Sequence, residues 1–199
     1  FIGQALVFPE DEAVSILNEK YRRGPSVHDV TAPIYEKTKG LSELEKKQYL
    51  DLNLWLPGDI LLKADKMSMA HSLEVRVPFL DRKVMDMAEG IPVRYRVNNE
   101  NTKYAMRIAA LKDCPPQTAN KPKLGFPVPI RVWLKEDKYY NIVREKFESD
   151  ISKHYFDTDI LIKLLDEHRE GKADNSRKIW TVFTFLIWYD VYFNDKWSL

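Results

Sequence analysis

Residues 59–81 constrain the fold of this chain more than any other stretch. An apolar helical phase carries Lys63, Asp65 and Lys66. It then runs, without a glycine at the turn, into Glu74, Arg76 and Asp81, set among Leu73, Val75, Val77, Phe79 and Leu80. A charge withdrawn from water is costly unless a partner accompanies it. Charges spaced this closely among apolar side chains are therefore expected to be partly desolvated and paired. The spacing predicts a structural ion-pair network of Glu74, Arg76 and Asp81 that locks the turn, while Asp65 and Lys66 can pair locally on one helix. Direct contact with a substrate is the alternative for the acidic and basic members. Met67 and Met69 read as packing residues.

Composition narrows the class. The 199 residues suffice for one domain, or for part of a larger one, and 31 basic against 30 acidic residues leave a net charge of +1. So balanced a chain has no field for gathering nucleic acid or an anionic membrane. A content of 44% apolar and 12% aromatic residues belongs to a folded chain. Cys114 is the lone cysteine and precedes Pro115 and Pro116, so no internal disulfide is available, as suits a reducing, cytoplasmic setting. The longest apolar run, residues 179–193, is too short to span a bilayer. No signal segment is visible and the first residue is Phe1, which suggests a piece of something longer.

The periodicity predicts a mainly α chain. Residues 1–8 look extended, and the acids of residues 10–12 open a helix that Arg22, Arg23, Gly24 and Pro25 end. Ser42 and Glu45 form a capping-box pattern. Pro57 and Gly58 are expected to break that helix, with Asp59 capping the next. Asp81 is placed to cap a helix through Val84 and Ala88, closed by Gly90 and Pro92. Residues 94–97 are the one strand-like piece. Thr102 opens a further helix, the proline-rich residues 115–129 exclude regular helix, and three more helices follow at residues 132–147, 159–169 and 178–192. Aromatics lie nearly all round the last of these, which predicts burial in a core or at a partner surface.

The chemistry concentrates in two places. Lys121 and Lys123 flank Pro122 and precede Gly125, so two ammonium groups sit on a restrained loop that can approach an anion such as triphosphate or pyrophosphate. Lys103 and Arg107 lie four apart and share a helix face. An exposed basic loop and a solvated helix face are the plain alternatives. His28, His71, His154 and His168 have no spacing for metal ligation and read as surface or core residues, and no glycine-rich phosphate cradle is present.

The string at residues 59–81 resembles a segment of the synthetase domain of glutamine-hydrolysing asparagine synthetases. Asn120-Lys-Pro-Lys-Leu-Gly-Phe-Pro-Val-Pro129 resembles that family's catalytic-lysine loop, and Thr102-Lys-Tyr-Ala-Met-Arg107 its preceding basic helix. The resemblance implies an α/β synthetase domain of the adenine-nucleotide α-hydrolase (ATP pyrophosphatase) type, with residues 1–199 as its mainly α C-terminal portion. It implies a carbon–nitrogen ligase that adenylates aspartate with ATP and Mg2+ and amidates it with ammonia from glutamine. Lys123 then becomes the catalytic cation, and Lys103, Arg107, Lys121 and Gly125 bind ATP or pyrophosphate, above the ion pairs of Asp65, Glu74, Arg76 and Asp81. No metal ligand is expected in this chain, and a homodimer is compatible with it.

Departures from the family accompany the match. Phe1 is not the terminal cysteine of the glutaminase domain, and neither the Ser-Gly-Gly-x-Asp-Ser pyrophosphate loop nor the acidic Ser-Gly-Glu-Gly-x-Asp-Glu segment is present. Most nucleotide and metal contacts are therefore expected from outside this chain, which alone should be inactive. The rival readings are an amide-forming relative acting on another carboxylate, and a helical interaction module without catalysis.

Overall fold

The computed structural model describes residues 7–122 and 128–194, and among them every regular element is a helix. The chain divides into two units: residues 30–122, and residues 7–29 with 128–194. A mainly α chain is what the structure shows, and the lone extended pairing among the described residues is an antiparallel bridge from Leu17 to Phe156.

Helix α1 (Glu10–Ser15) carries Glu10, Asp11 and Glu12 in its first turn, at the positive end of its dipole. It stops well before the expected residues 22–25. The bridge competes with it: Asp157 N donates to Ile16 O at 2.8 Å and Asn18 N to Tyr155 O at 2.9 Å. Helix α2 (Val27–Glu36) follows. Ser26 N donates to Asp29 Oδ2 at 2.9 Å and Asp29 N to Ser26 Oγ at 3.1 Å, so its entry is reciprocally capped. The sequence pattern marks no helix there because Pro33 lies inside it.

In residues 30–122, α3 (Glu43–Leu50) opens on the predicted capping box. Ser42 N donates to Glu45 Oε2 at 3.0 Å and Glu45 N to Ser42 Oγ at 3.4 Å. The expected break at Pro57 and Gly58 does not occur. The helix runs on through a π-helical segment, Asp51–Leu61, into α4 (Leu62–Met69). In an α-helix the proline ring would strike the carbonyl four residues back, and the wider i→i+5 winding of a π-helix moves that carbonyl aside. Asp59 caps nothing; it accepts from Trp55 Nε1 at 2.9 Å and faces Lys63 at 3.8 Å.

The turn after α4 is a Schellman closure: Ser72 N donates to Met69 O and Leu73 N to Ser68 O, both at 3.0 Å. Ser72 takes the left-handed position at φ 55°, where glycine is usual, at a cost of about 1 kcal/mol. Asp81 then caps α5 (Arg82–Glu89) as predicted, accepting from Lys83 N at 2.9 Å. The expected strand-like piece is instead a one-turn helix, α6 (Val93–Arg96). Curling there lets the Arg96 guanidinium donate to Glu89 O at 2.9 Å and Ile91 O at 2.5 Å, satisfying carbonyls left open at the end of α5. It also donates to Gln48 Oε1 at 3.2 Å. Helices α7 (Tyr104–Ala110) and α8 (Pro116–Ala119) complete the unit.

The other unit holds α9 (Ile130–Trp133), α10 (Asp137–Phe147), α11 (Asp150–Tyr155), α12 (Thr158–Arg169) and α13 (Ser176–Phe193). The single helix expected over residues 132–147 is interrupted where Leu134 turns into the core. Tyr140, Val143 and Phe147 of α10, Leu161 and Leu165 of α12, and Ile179, Val182 and Leu186 of α13 pack with Ile16 and Phe156. Their spacings of three, four and seven are one helical face each. Asp190, buried at the far end of α13, pairs with Lys146, and Lys178 pairs with Glu12 to tie α1 down. Trp180 and Tyr192 lie on the exposed side of α13. No helix among the described residues is long and apolar enough to cross a membrane.

Candidate active site

The basic cluster singled out by the sequence is assembled by α7 and α8. Lys103 is the N-cap of α7 and Arg107 stands one turn further on, as the predicted shared face requires. Residues 115–129 were expected to hold no helix, yet Pro116 occupies the first position of α8, where a missing N–H costs nothing. The chain leaves α8 through buried Ala119 and reaches Lys121. Lys123 and Gly125 lie outside the described residues.

Arg107 links the two helices. Its Nη1 donates to Ala119 O at 2.9 Å and its Nη2 to Lys121 O at 3.0 Å, while Nε is buried without a hydrogen-bond partner among the described residues. Lys103 and Lys121 keep exposed side chains. Tyr104 stacks on Tyr95 with ring centroids 6.4 Å apart and planes 8° from parallel. Among the described residues neither the Lys103 nor the Lys121 ammonium forms an ion pair, and Lys121 sits on a backbone segment anchored by a guanidinium, which suits an anion.

The ionic string differs from expectation. Glu74 and Arg76 do pair, at 2.5 Å, but their side chains are 68% and 85% exposed. Leu73 and Phe79 around them are also exposed. The string is thus a solvated pair on an uncovered apolar surface, because no described element packs over it. Asp81 uses its carboxylate as a helix cap, and among the described residues neither Asp81 nor Asp65 forms an ion pair.

Sequence reasoning left His168 open between surface and core, and it is fully buried. It falls on the Leu161 and Leu165 face of α12, which is the signal that could have found it. Its Nε2 lies 3.0 Å from Arg131 O and so carries the proton and donates. Nδ1 has no hydrogen-bond partner among the described residues and stands 3.7 Å from Asp174 Oδ1. The Ser176 hydroxyl, donating to Asp174 at 2.7 Å, holds that carboxyl below the usual range against the effect of burial. A cleft of about 520 Å³ opens beside these groups, lined also by Arg131, Lys135, Glu136 and Gly171. Among the described residues no three His, Cys, Asp or Glu side chains are grouped to hold a metal ion.

Residues 4–190 match the asparagine synthase family. The chain is similar to asparagine synthetase [glutamine-hydrolyzing] 1 of Bacillus subtilis strain 168, at 44% identity over 191 residues, covering 96% of this chain and 30% of the relative. It is also similar, at 42% identity over 164 residues, to a Mycobacterium bovis protein provisionally named as a glutamine-hydrolysing asparagine synthetase, covering 82% of this chain and 25% of that relative. A second B. subtilis protein, asparagine synthetase [glutamine-hydrolyzing] 3, is 26% identical over 127 residues, covering 59% of this chain and 21% of the relative. No solved structure matches. The chain spans less than a third of the length of these curated relatives. With the family's pattern running through both helical units, from residue 4 to residue 190, the chain belongs to the asparagine synthase family.

Proposed function

We propose that the chain is the C-terminal helical portion of the synthetase domain of a glutamine-dependent asparagine synthetase. The parallel sheet, pyrophosphate loop and glutaminase domain of that enzyme lie in sequence outside residues 1–199. The family match over residues 4–190 carries the reading. The uncovered apolar surface of residues 30–122, where Leu73, Phe79 and Met87 are 60%, 66% and 76% exposed, supports a sheet packing there.

In this reading the side-chain carboxylate of aspartate attacks the α-phosphorus of ATP. The bond to the bridging oxygen breaks, pyrophosphate leaves, and an aspartyl-adenylate remains. Ammonia from glutamine attacks the acyl carbon, loses a proton and expels AMP, giving asparagine. Lys123 opposes the negative charge that grows on the α-phosphate oxygens and the leaving pyrophosphate, and Lys103, Arg107 and Lys121 add positive potential. Gly125 lets the backbone approach the phosphates. In this reading Mg2+ is held mostly by residues outside this chain. The setting is a cytoplasmic enzyme, compatible with a homodimer and without nucleic-acid or membrane partners.

Aspartate-dependent ATP–pyrophosphate exchange by the full-length protein tests the reading. Lys123→Ala should lower exchange about 10²-fold or more and leave glutaminase activity unchanged. An unchanged rate removes Lys123 from the mechanism. Exchange with a different carboxylate, and none with aspartate, moves the activity to another amide-forming relative.

A further inference from the structure

We propose that Arg107 is a positioning residue for adenylate formation: it fixes the backbone of Ala119 and Lys121, and does not bind phosphate itself. The inference rests on the reading of Lys123 above and sharpens it. An arginine that grips a phosphate presents parallel N–H groups to two oxygens. Here the two terminal nitrogens of Arg107 each already donate to a carbonyl, at 2.9 Å to Ala119 and 3.0 Å to Lys121. The third nitrogen, Nε, is buried and makes no hydrogen bond among the described residues. Two of its five N–H groups, one on each terminal nitrogen, are thus engaged by main chain, and together they span two carbonyls separated by one residue. Asn120 N, donating to Pro116 O at 3.0 Å, holds the intervening residue at the end of α8.

The consequence is directional. Lys121 has its carbonyl held while its side chain stays exposed, so the ammonium is free to meet an anion on an anchored backbone. Lys123 follows two residues later in sequence, directly after the described stretch that the clamp anchors. Misplacing a catalytic group by about 1 Å costs on the order of 10²-fold in rate. A lysine at position 107 supplies one point charge in place of a planar fork and cannot bridge both carbonyls in the same way.

The test uses the full-length protein and two variants, Arg107→Ala and Arg107→Lys, with two readouts. Amide hydrogen exchange at residues 119–121 reports the clamp, and aspartate-dependent ATP–pyrophosphate exchange reports its effect on chemistry. Both variants should speed amide exchange at these residues. Both should lower kcat by about 10–100-fold with KM for ATP within about twofold of the parent, Arg107→Lys less severely. A KM for ATP raised about tenfold or more with kcat retained overturns the proposal and makes Arg107 a phosphate ligand. Unchanged amide exchange also overturns it. If Arg107→Ala does not fold, Arg107→Lys carries the same two criteria. A parent protein without aspartate-dependent exchange fails the functional reading instead, and amide exchange still decides whether Arg107 clamps the backbone.

Discussion

The two helical units share a composition style but not a state of completion. In residues 7–29 and 128–194, three long helices close a core in which Phe147, Leu165 and Leu186 are wholly buried. In residues 30–122, Leu50 and Ala119 are the buried apolar side chains among the described residues, while Leu62, Met67, Leu73 and Phe79 are each at least half exposed. Hydrophobic side chains are equally available to both. The difference is that residues 7–29 with 128–194 fold their apolar faces onto each other, whereas residues 30–122 turn much of their apolar area outward. One unit carries its own stability; the other has the surface of an element meant to be covered.

The contrast is open to direct attack. Leu165→Ala should cost about 2–5 kcal/mol through the cavity it leaves, whereas Phe79→Ala should lie within about 0.5 kcal/mol in this chain. Denaturant unfolding of both variants measures the gap, and equal costs would erase the distinction. In the full-length protein, Phe79→Ala should rise toward about 3 kcal/mol if the surface is covered there.

A smaller effect is expected at Asp174, which Ser176 holds below the ordinary value of 3.8 with help from His168 and Arg131. A depressed folded-state pKa contributes its full stabilisation above the unfolded value, near 3.8, and loses it as pH falls through the folded value. Asp174→Asn should therefore flatten the acid limb of the Tm-against-pH curve. An unaltered acid limb would show that the Ser176 contact contributes nothing to stability.

Arg76→Ala should also have a small effect in this chain, within about 1 kcal/mol, because an ion pair this exposed is screened by water. A loss of several kcal/mol would mean that the string is buried after all and that the two units are more alike than the structure shows.

Local chemistry was legible and non-local burial was not. Ser42 with Glu45, and Asp81 before α5, announce themselves because a cap is settled within four residues. The family resemblance was likewise carried by contiguous strings. Pro57 misled because a proline breaks an α-helix but not the wider winding found there. Residues 94–97 misled because their conformation is decided by what Arg96 reaches, 48 positions away at Gln48 and nearby at Glu89. The charges around Arg76 suggested burial because their apolar neighbours did, and neighbours in sequence cannot say whether anything lies on top of them. The resemblance assigned Arg107 and Lys121 to one anion-binding group, but only geometry reveals that the contact between them runs from guanidinium to main chain.

The winding at Asp51–Leu61 has a consequence for how this surface can change over evolutionary time. Successive residues of an α-helix are about 100° apart around its axis. A π-helix holds more residues per turn, so gaining or losing one residue inside that segment would swing α4, with Met67 and Met69, through somewhat less than that angle while leaving every side chain in α4 unaltered. The segment is a dial: insertions and deletions there re-aim a face that substitutions would have to rebuild.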